Sequence, residues 1–179
     1  MKREKILLGS LLVLVLCLTV SPAWAQTPDL GIWVGKWFKV TETFKGYFGS
    51  ASGVQSHNNS MVQYYKVQSW DSDTKLLQIL IHVKDPEWEA FPLDLYYIAG
   101  SNLELLAWSQ GEPTPEMSYG ATFYIKGTIS KGALKSATLK SLGAYQWDYD
   151  YGDGGVYVGG MTVKGSLIPE SKLPPDLPR

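Results

Sequence analysis

The chain has 179 residues, 16 of them basic and 17 acidic, for a formal net charge of −1 at pH 7. With Arg3 and Arg179 as its only arginines it lacks the basic, fork-bearing face that a nucleic-acid partner requires. A single cysteine excludes a disulfide framework.

The first 25 residues have the three parts of a secretory signal peptide. Basic "MKREK" is followed by apolar "ILLGSLLVLVLCLTV", then by "SPAWA" with Ala23 and Ala25 at the small-residue cleavage positions. This predicts a cleaved segment at 1–25, a mature chain from Gln26 and an extracytoplasmic destination, periplasmic or secreted. Cleavage removes Cys17, the only thiol, and leaves 13 basic against 16 acidic residues, since Lys2, Arg3, Lys5 and Glu4 go with the leader. The apolar run is about 15 residues, short of the roughly 20 that a helical span needs, so no membrane span is expected after cleavage.

From residue 26 the hydrophobic spacing has period two, the mark of strands with one buried face. Eight strands are predicted near 35–44, 61–70, 75–84, 92–99, 102–109, 119–130, 133–142 and 156–168. In the third, Leu77, Ile79, Ile81 and Val83 face one way and Gln78, His82 and Lys84 the other. In the sixth, Ala121, Phe123, Ile125 and Ile129 oppose Thr122, Tyr124, Lys126 and Thr128. In the first, Trp37, Lys39 and Thr41 oppose Phe38, Val40 and Glu42, and in the second Tyr64 and Trp70 alternate with Lys66 and Gln68. The pattern alone does not say which face of these two points inward. The segment 141–151, "SLGAYQWDYDY", is ambiguous and can add a ninth strand.

The separators "DSDT", "AGS", "SKGA" and "GDGG" are short, which makes neighbouring strands antiparallel hairpins in series. Eight such strands expose two edges unless the sheet closes, so the expected fold is all-β, a single eight-stranded antiparallel up-and-down β-barrel over 26–168. Residues 46–60, long, small and polar, read as a mobile loop of the kind that forms lids. The tail at 169–179 is proline-rich and expected to run along the surface.

Gly35-Lys36-Trp37 at the start of the first strand, after the turn-like "TPDLGIW" and ahead of a long first loop and a meander, resembles the G-x-W signature of the lipocalin and calycin superfamily, which includes the avidins. The resemblance implies that Trp37 is a structural plug closing one end of the barrel, and the family usually stacks an arginine from the last strand or just after it on that ring, a residue this chain lacks there. The last strand offers only Lys164 in its place, and Lys172 follows it.

Aromatic residues make up 13% of the chain, more than a small core needs; large rings can fill a narrow barrel and clamp its ends, or part of them can line a cavity. The expected lining is Phe123, Ile125, Ile79, Ile81 and Tyr97, and the expected partner is a small hydrophobic or aromatic ligand held without chemistry. No cofactor is indicated, and no metal site or catalytic residue. His57 and His82 have no diagnostic spacing. Asp85, Glu87 and Glu89 read as a charged loop, and Asp148, Asp150 and Asp153 as an acidic turn without EF-hand register. Asn58-Asn59-Ser60 fits a glycosylation acceptor. Three other readings stay open. One is a barrel enzyme of isomerase or cyclase type, which would show Lys39, Lys66, Glu42 or His82 buried and hydrogen-bonded. The others are an outer-membrane barrel and a protein-binding envelope module using tyrosines such as Tyr149, Tyr151 and Tyr157.

Overall fold

The computed structural model describes residues 28–50, 52–83, 90–111, 117–149, 155–175 and 177. The signal segment, Asp85, Glu87, Glu89, Asp150, Tyr151 and Asp153 lie outside them. The strands are β1 (Trp37–Ser50), β2 (Gly53–Asp71), β3 (Leu76–Val83), β4 (Phe91–Gly100), β5 (Glu104–Gln110), β6 (Met117–Ser130), β7 (Ala133–Tyr149) and β8 (Gly155–Ile168). All pairs are antiparallel and follow chain order, and β8 returns to β1, so one sheet closes into a ring. Among the described residues there is no α-helix, only 3-10 turns at Gly31–Trp33 and Glu170–Lys172.

The closing pair runs the full length of β1, from Trp37 opposite Ile168 to Ser50 opposite Gly155. Residues 46–60 are therefore not a loop, as their composition suggests. They complete a hairpin of β1 with β2, in register from Trp37 opposite Lys66 to Ser50 opposite Gly53. Backbone pairing, not apolar burial, orders this part, and residues 53–60 are exposed throughout. The ambiguous segment after 142 likewise continues β7, opposite β8 up to Tyr149 and Gly155.

The turns follow their chemistry. Lys131 and Gly132 both take positive φ, 53° and 76°, the type I′ geometry that matches strand twist in a two-residue hairpin. Between β2 and β3 the Asp71 carboxylate accepts from the Asp73 and Thr74 amides at 2.9 and 3.3 Å, and Lys75 turns the chain at φ 59°.

One core fills the end where β1 begins. Phe38, Val40, Tyr65, Val67, Leu77, Ile79, Leu95, Leu105, Phe123, Ile125 and Leu139 belong to it, and all are buried. The expectation that Trp37 closes this end is corrected. Phe38 and Val40 point inward, so period two turns Trp37 outward, and Trp33 from the first 3-10 turn enters the core in its place. Trp33 is fully buried, stacks on Phe38 at 6.2 Å and donates from Nε1 to the Asn102 carbonyl at 2.8 Å. Gly127 provides its seat, since a Cβ there would lie 2.7 Å from Cη2 of the ring.

Trp37 is buried differently, on the outer wall, beside Tyr64 and beneath Leu173 and Leu177 of the tail. His82 lies 4.8 Å from its ring, and the stacked cation is Lys66, 5.2 Å from the centroid, contributed by β2 rather than by the last strand or tail. The tail thus covers apolar surface that the closed sheet leaves outside.

Trp33→Ala removes the largest buried ring, and unfolding in urea followed by circular dichroism is expected to show a loss of about 3–5 kcal/mol. Gly127→Ala, which crowds the same ring without removing it, is expected to cost about 1–3 kcal/mol.

Candidate functional site

Beyond this core, toward the end carrying the β1–β2 hairpin tip, the inward face becomes polar. Inward positions on β1 are Phe38, Val40 and Glu42, and the closed register sets Glu42 beside Val163 of β8, and Val163 beside Ser141 of β7. On β2 the inward residues are Tyr65 and Gln63, since Tyr65 pairs with Phe38 and Gln63 with Val40. On β5 Ser109 follows Ala107 inward. Glu42, Gln63, Ser109, Ser141 and Tyr65 are all buried.

Glu42 and Tyr65 form the centre of this group: the Tyr65 hydroxyl donates a short hydrogen bond to Oε1 of Glu42. Burial raises the Glu42 pKa above its ordinary value of 4.5, because desolvation disfavours the carboxylate, and the Tyr65 bond pulls it partly back. Burial, with the neighbouring Glu42 carboxylate adding to it, lifts the Tyr65 hydroxyl well above its ordinary range. The other members are incompletely bonded. Gln63 Oε1 and Ser141 Oγ have no hydrogen-bond partner among the described residues, and the Gln63 amide nitrogen reaches only the Met61 thioether, at 3.0 Å. Each such buried group left unpaired costs about 1–3 kcal/mol. The neighbouring inward positions Gly46 and Gly143 are tightly approached: a Cβ at Gly46 would collide with the Val158 carbonyl oxygen, and one at Gly143 would lie 2.8 Å from Ala121 Cβ.

The five residues expected to line a cavity all belong to the interior, but only two border this group. Phe123 is directly opposite Ser141, and Ile81 opposite Tyr65. Ile125 and Ile79 sit in the packed core, fully buried. Tyr97 lies near the closed end, with its ring edge on Trp70 and its hydroxyl donating to the Gly100 carbonyl at 2.9 Å. The bulge between Val67 and Ser69 turns Trp70 toward the core although Tyr64 and Lys66 face out. Of the four ionisable residues whose burial would favour an enzyme, Lys39 and Lys66 are on the outer face and His82 is buried on that same face beside Trp37. Glu42 alone is inside and hydrogen-bonded.

Gln63, Ser109, Ser141 and Tyr65 were not distinguishable by sequence as site residues. Glu42 carried a signal, because it falls in phase with Phe38 and Val40, and a carboxylate on an apolar face is the position to question.

Comparison with known proteins returned no matching family model and no match among curated sequences.

Glu42 also makes stability depend on pH. Its folded pKa is raised, so the native chain keeps a proton that the unfolded chain has already released. The contribution is full below the ordinary glutamate value and is lost as pH rises through the folded one. Across about pH 4 to 8, the unfolding free energy of the native chain minus that of Glu42→Gln is expected to fall with rising pH, read by chemical denaturation at each pH.

Proposed function

We propose that this chain is a lipocalin-like, calycin-type barrel of the periplasm or extracellular space that binds a small aromatic or apolar molecule in its interior, without chemistry. The observation that carries this reading is the polar group set in an apolar interior: a buried carboxyl held by Tyr65, beside Gln63 Oε1 and Ser141 Oγ that have no partner. A binding site is mostly apolar with a few polar groups that fix orientation. Here Phe123 and Ile81 supply apolar contact next to Glu42, to the Ser141 hydroxyl, which can donate or accept, and to Gln63, whose Oε1 is a free acceptor. The ligand that fits is a flat ring system bearing at least one hydrogen-bond donor. The signal-peptide pattern at 1–25 supports a place outside the cytoplasm, and the closed eight-strand meander supports the calycin resemblance.

A second reading rests on the same carboxyl. A glutamate with a raised pKa, hydrogen-bonded to a tyrosine, is equipped for general acid–base work in a barrel enzyme. Turnover of a bound ligand that stops in Glu42→Gln would favour it over simple binding.

The test uses 1-aminoanthracene, a planar aromatic amine, titrated into the purified protein and followed by fluorescence. One saturable site is expected, weakened about tenfold in Glu42→Gln and in Tyr65→Phe, as loss of one hydrogen bond of about 1.4 kcal/mol requires. Non-saturable uptake, or equal affinity in both variants, would remove the interior site.

A further inference from the structure

A second site is carried by the outer wall, on strands whose inward faces build the interior. A groove of about 890 Å³ runs over β5 to β8. Trp108 opposite Thr122, Thr122 opposite Leu142, and Gln146 opposite Val158 enter it from outward registers, and Ser109, Ala121, Gly143 and Gly159 of the inward register also border it. Its floor is backbone, because Gly120 and Ala144 face each other between those rows. Trp108 is 41% exposed and Leu142 68%, high values for rings and aliphatic chains on an ordered sheet. Tyr96 extends the platform, its ring 5.6 Å from that of Trp108 and tilted by 39°. Gln110, Gln146 and Thr122 bring amide and hydroxyl groups, and among the described residues no charged one lines the groove.

A second observation concerns its margin. Lys140, two residues before Leu142 on the same face, is directly opposite Lys164. Neither lysine forms an ion pair with a described residue, whereas Lys126 on the neighbouring strand is bonded to Glu104 at 3.1 Å. Like charges opposed across a strand pair are destabilising, and an anion between them relieves that cost.

We infer that this groove binds an acidic oligosaccharide, with sugar rings stacked on Trp108 and Tyr96, hydroxyls met by the glutamines and Thr122, and a carboxylate held between Lys140 and Lys164. Exposed aromatic rings suit the C–H faces of sugars, and the amides suit their hydroxyls. Three strand spacings make the groove about 14 Å across, a length for an oligomer rather than one ring. An added peptide strand is disfavoured, because β6 and β7 are paired on both sides and offer no edge. This site does not depend on the interior one.

The test is calorimetric titration of the native chain with hexagalacturonate, with cellohexaose as the neutral counterpart. Saturable binding of hexagalacturonate is expected, at least tenfold tighter than cellohexaose and weaker as salt is raised. Trp108→Ala should lose binding at least tenfold. The double variant Lys140→Gln/Lys164→Gln should lose a similar factor together with most of the salt dependence, while Lys135→Gln, at the far end of β7, should change nothing. The lysine positions are exposed, so that variant remains informative if Trp108→Ala fails to fold. Absence of saturable binding, equal affinity for cellohexaose, or indifference to both variants would overturn the inference. So would a Trp108-dependent dimer, or Trp108-dependent binding to phosphatidylglycerol vesicles in place of the sugar.

Discussion

Every assignment of inside and outside in this molecule depends on the pairing of β1 with β8. Because β1 is bonded along all of its length to β2 on one side and β8 on the other, no residue in it can slip without turning the whole strand over. That constraint sends Phe38, Val40 and Glu42 inward together and expels Trp37. A sheet left open at β1 would not impose a single answer, since both faces of the strand carry aromatic and polar residues. Closure also leaves the outer face of Trp37 and Tyr64 uncovered, and the tail meets that need with Leu173 and Leu177. The anchor of the tail and the buried carboxyl of the interior are therefore two results of one register.

The carboxyl is costly in that position. Glu42 loses hydration, and among the described residues its hydrogen-bonding partner is Tyr65. A core that needed only stability would place an aliphatic side chain there, as Val40 does one step earlier on the same face. Gln63 and Ser141 repeat the departure on neighbouring strands. Local rules broken together at one level of a packed interior are a stronger sign of function than any one of them. The apolar layers toward the closed end, sealed by Trp33, supply the stability that lets these positions depart from a packed core.

Much of the architecture was legible in the sequence because it rests on period two and turn chemistry, both local. All eight strands, their antiparallel order and the inward set of Ile79, Ile81, Phe123 and Ile125 follow from alternation and short separators. Two things were not legible, for a shared reason. Residues 46–60 are small and polar on both faces, so alternation has nothing to show, and only the partner strands reveal them as a ladder. Trp37 and Trp33 are both tryptophans close to a glycine, and which of them enters the core is decided by the phase of Phe38 and Val40 relative to the closure. The polar group escaped for a different reason: Gln63 and Ser141 come from strands far apart in the chain, and only the register brings them to one face near Glu42.

The wall is uneven, and this separates its two candidate surfaces. β1, β2, β7 and β8 have 14 to 19 residues, while β3, β4 and β5 have 7 to 10. On the short side the interior polar group lies near the ends of the strands, where Gln63 is opposite Val83 and Ser109 is next to the last residue of β5. On the tall side the sheet continues past the core, and its strands approach closely enough there that Gly46 and Gly143 leave no space for a Cβ. The outward face of the same region keeps Trp108 and Leu142 on a floor of Gly120 and Ala144. Glycine and alanine at neighbouring registers thus keep the wall thin on this stretch, where the groove's lining includes Ser109 and Ala121 of the inward register beside the outward Trp108, Thr122 and Leu142.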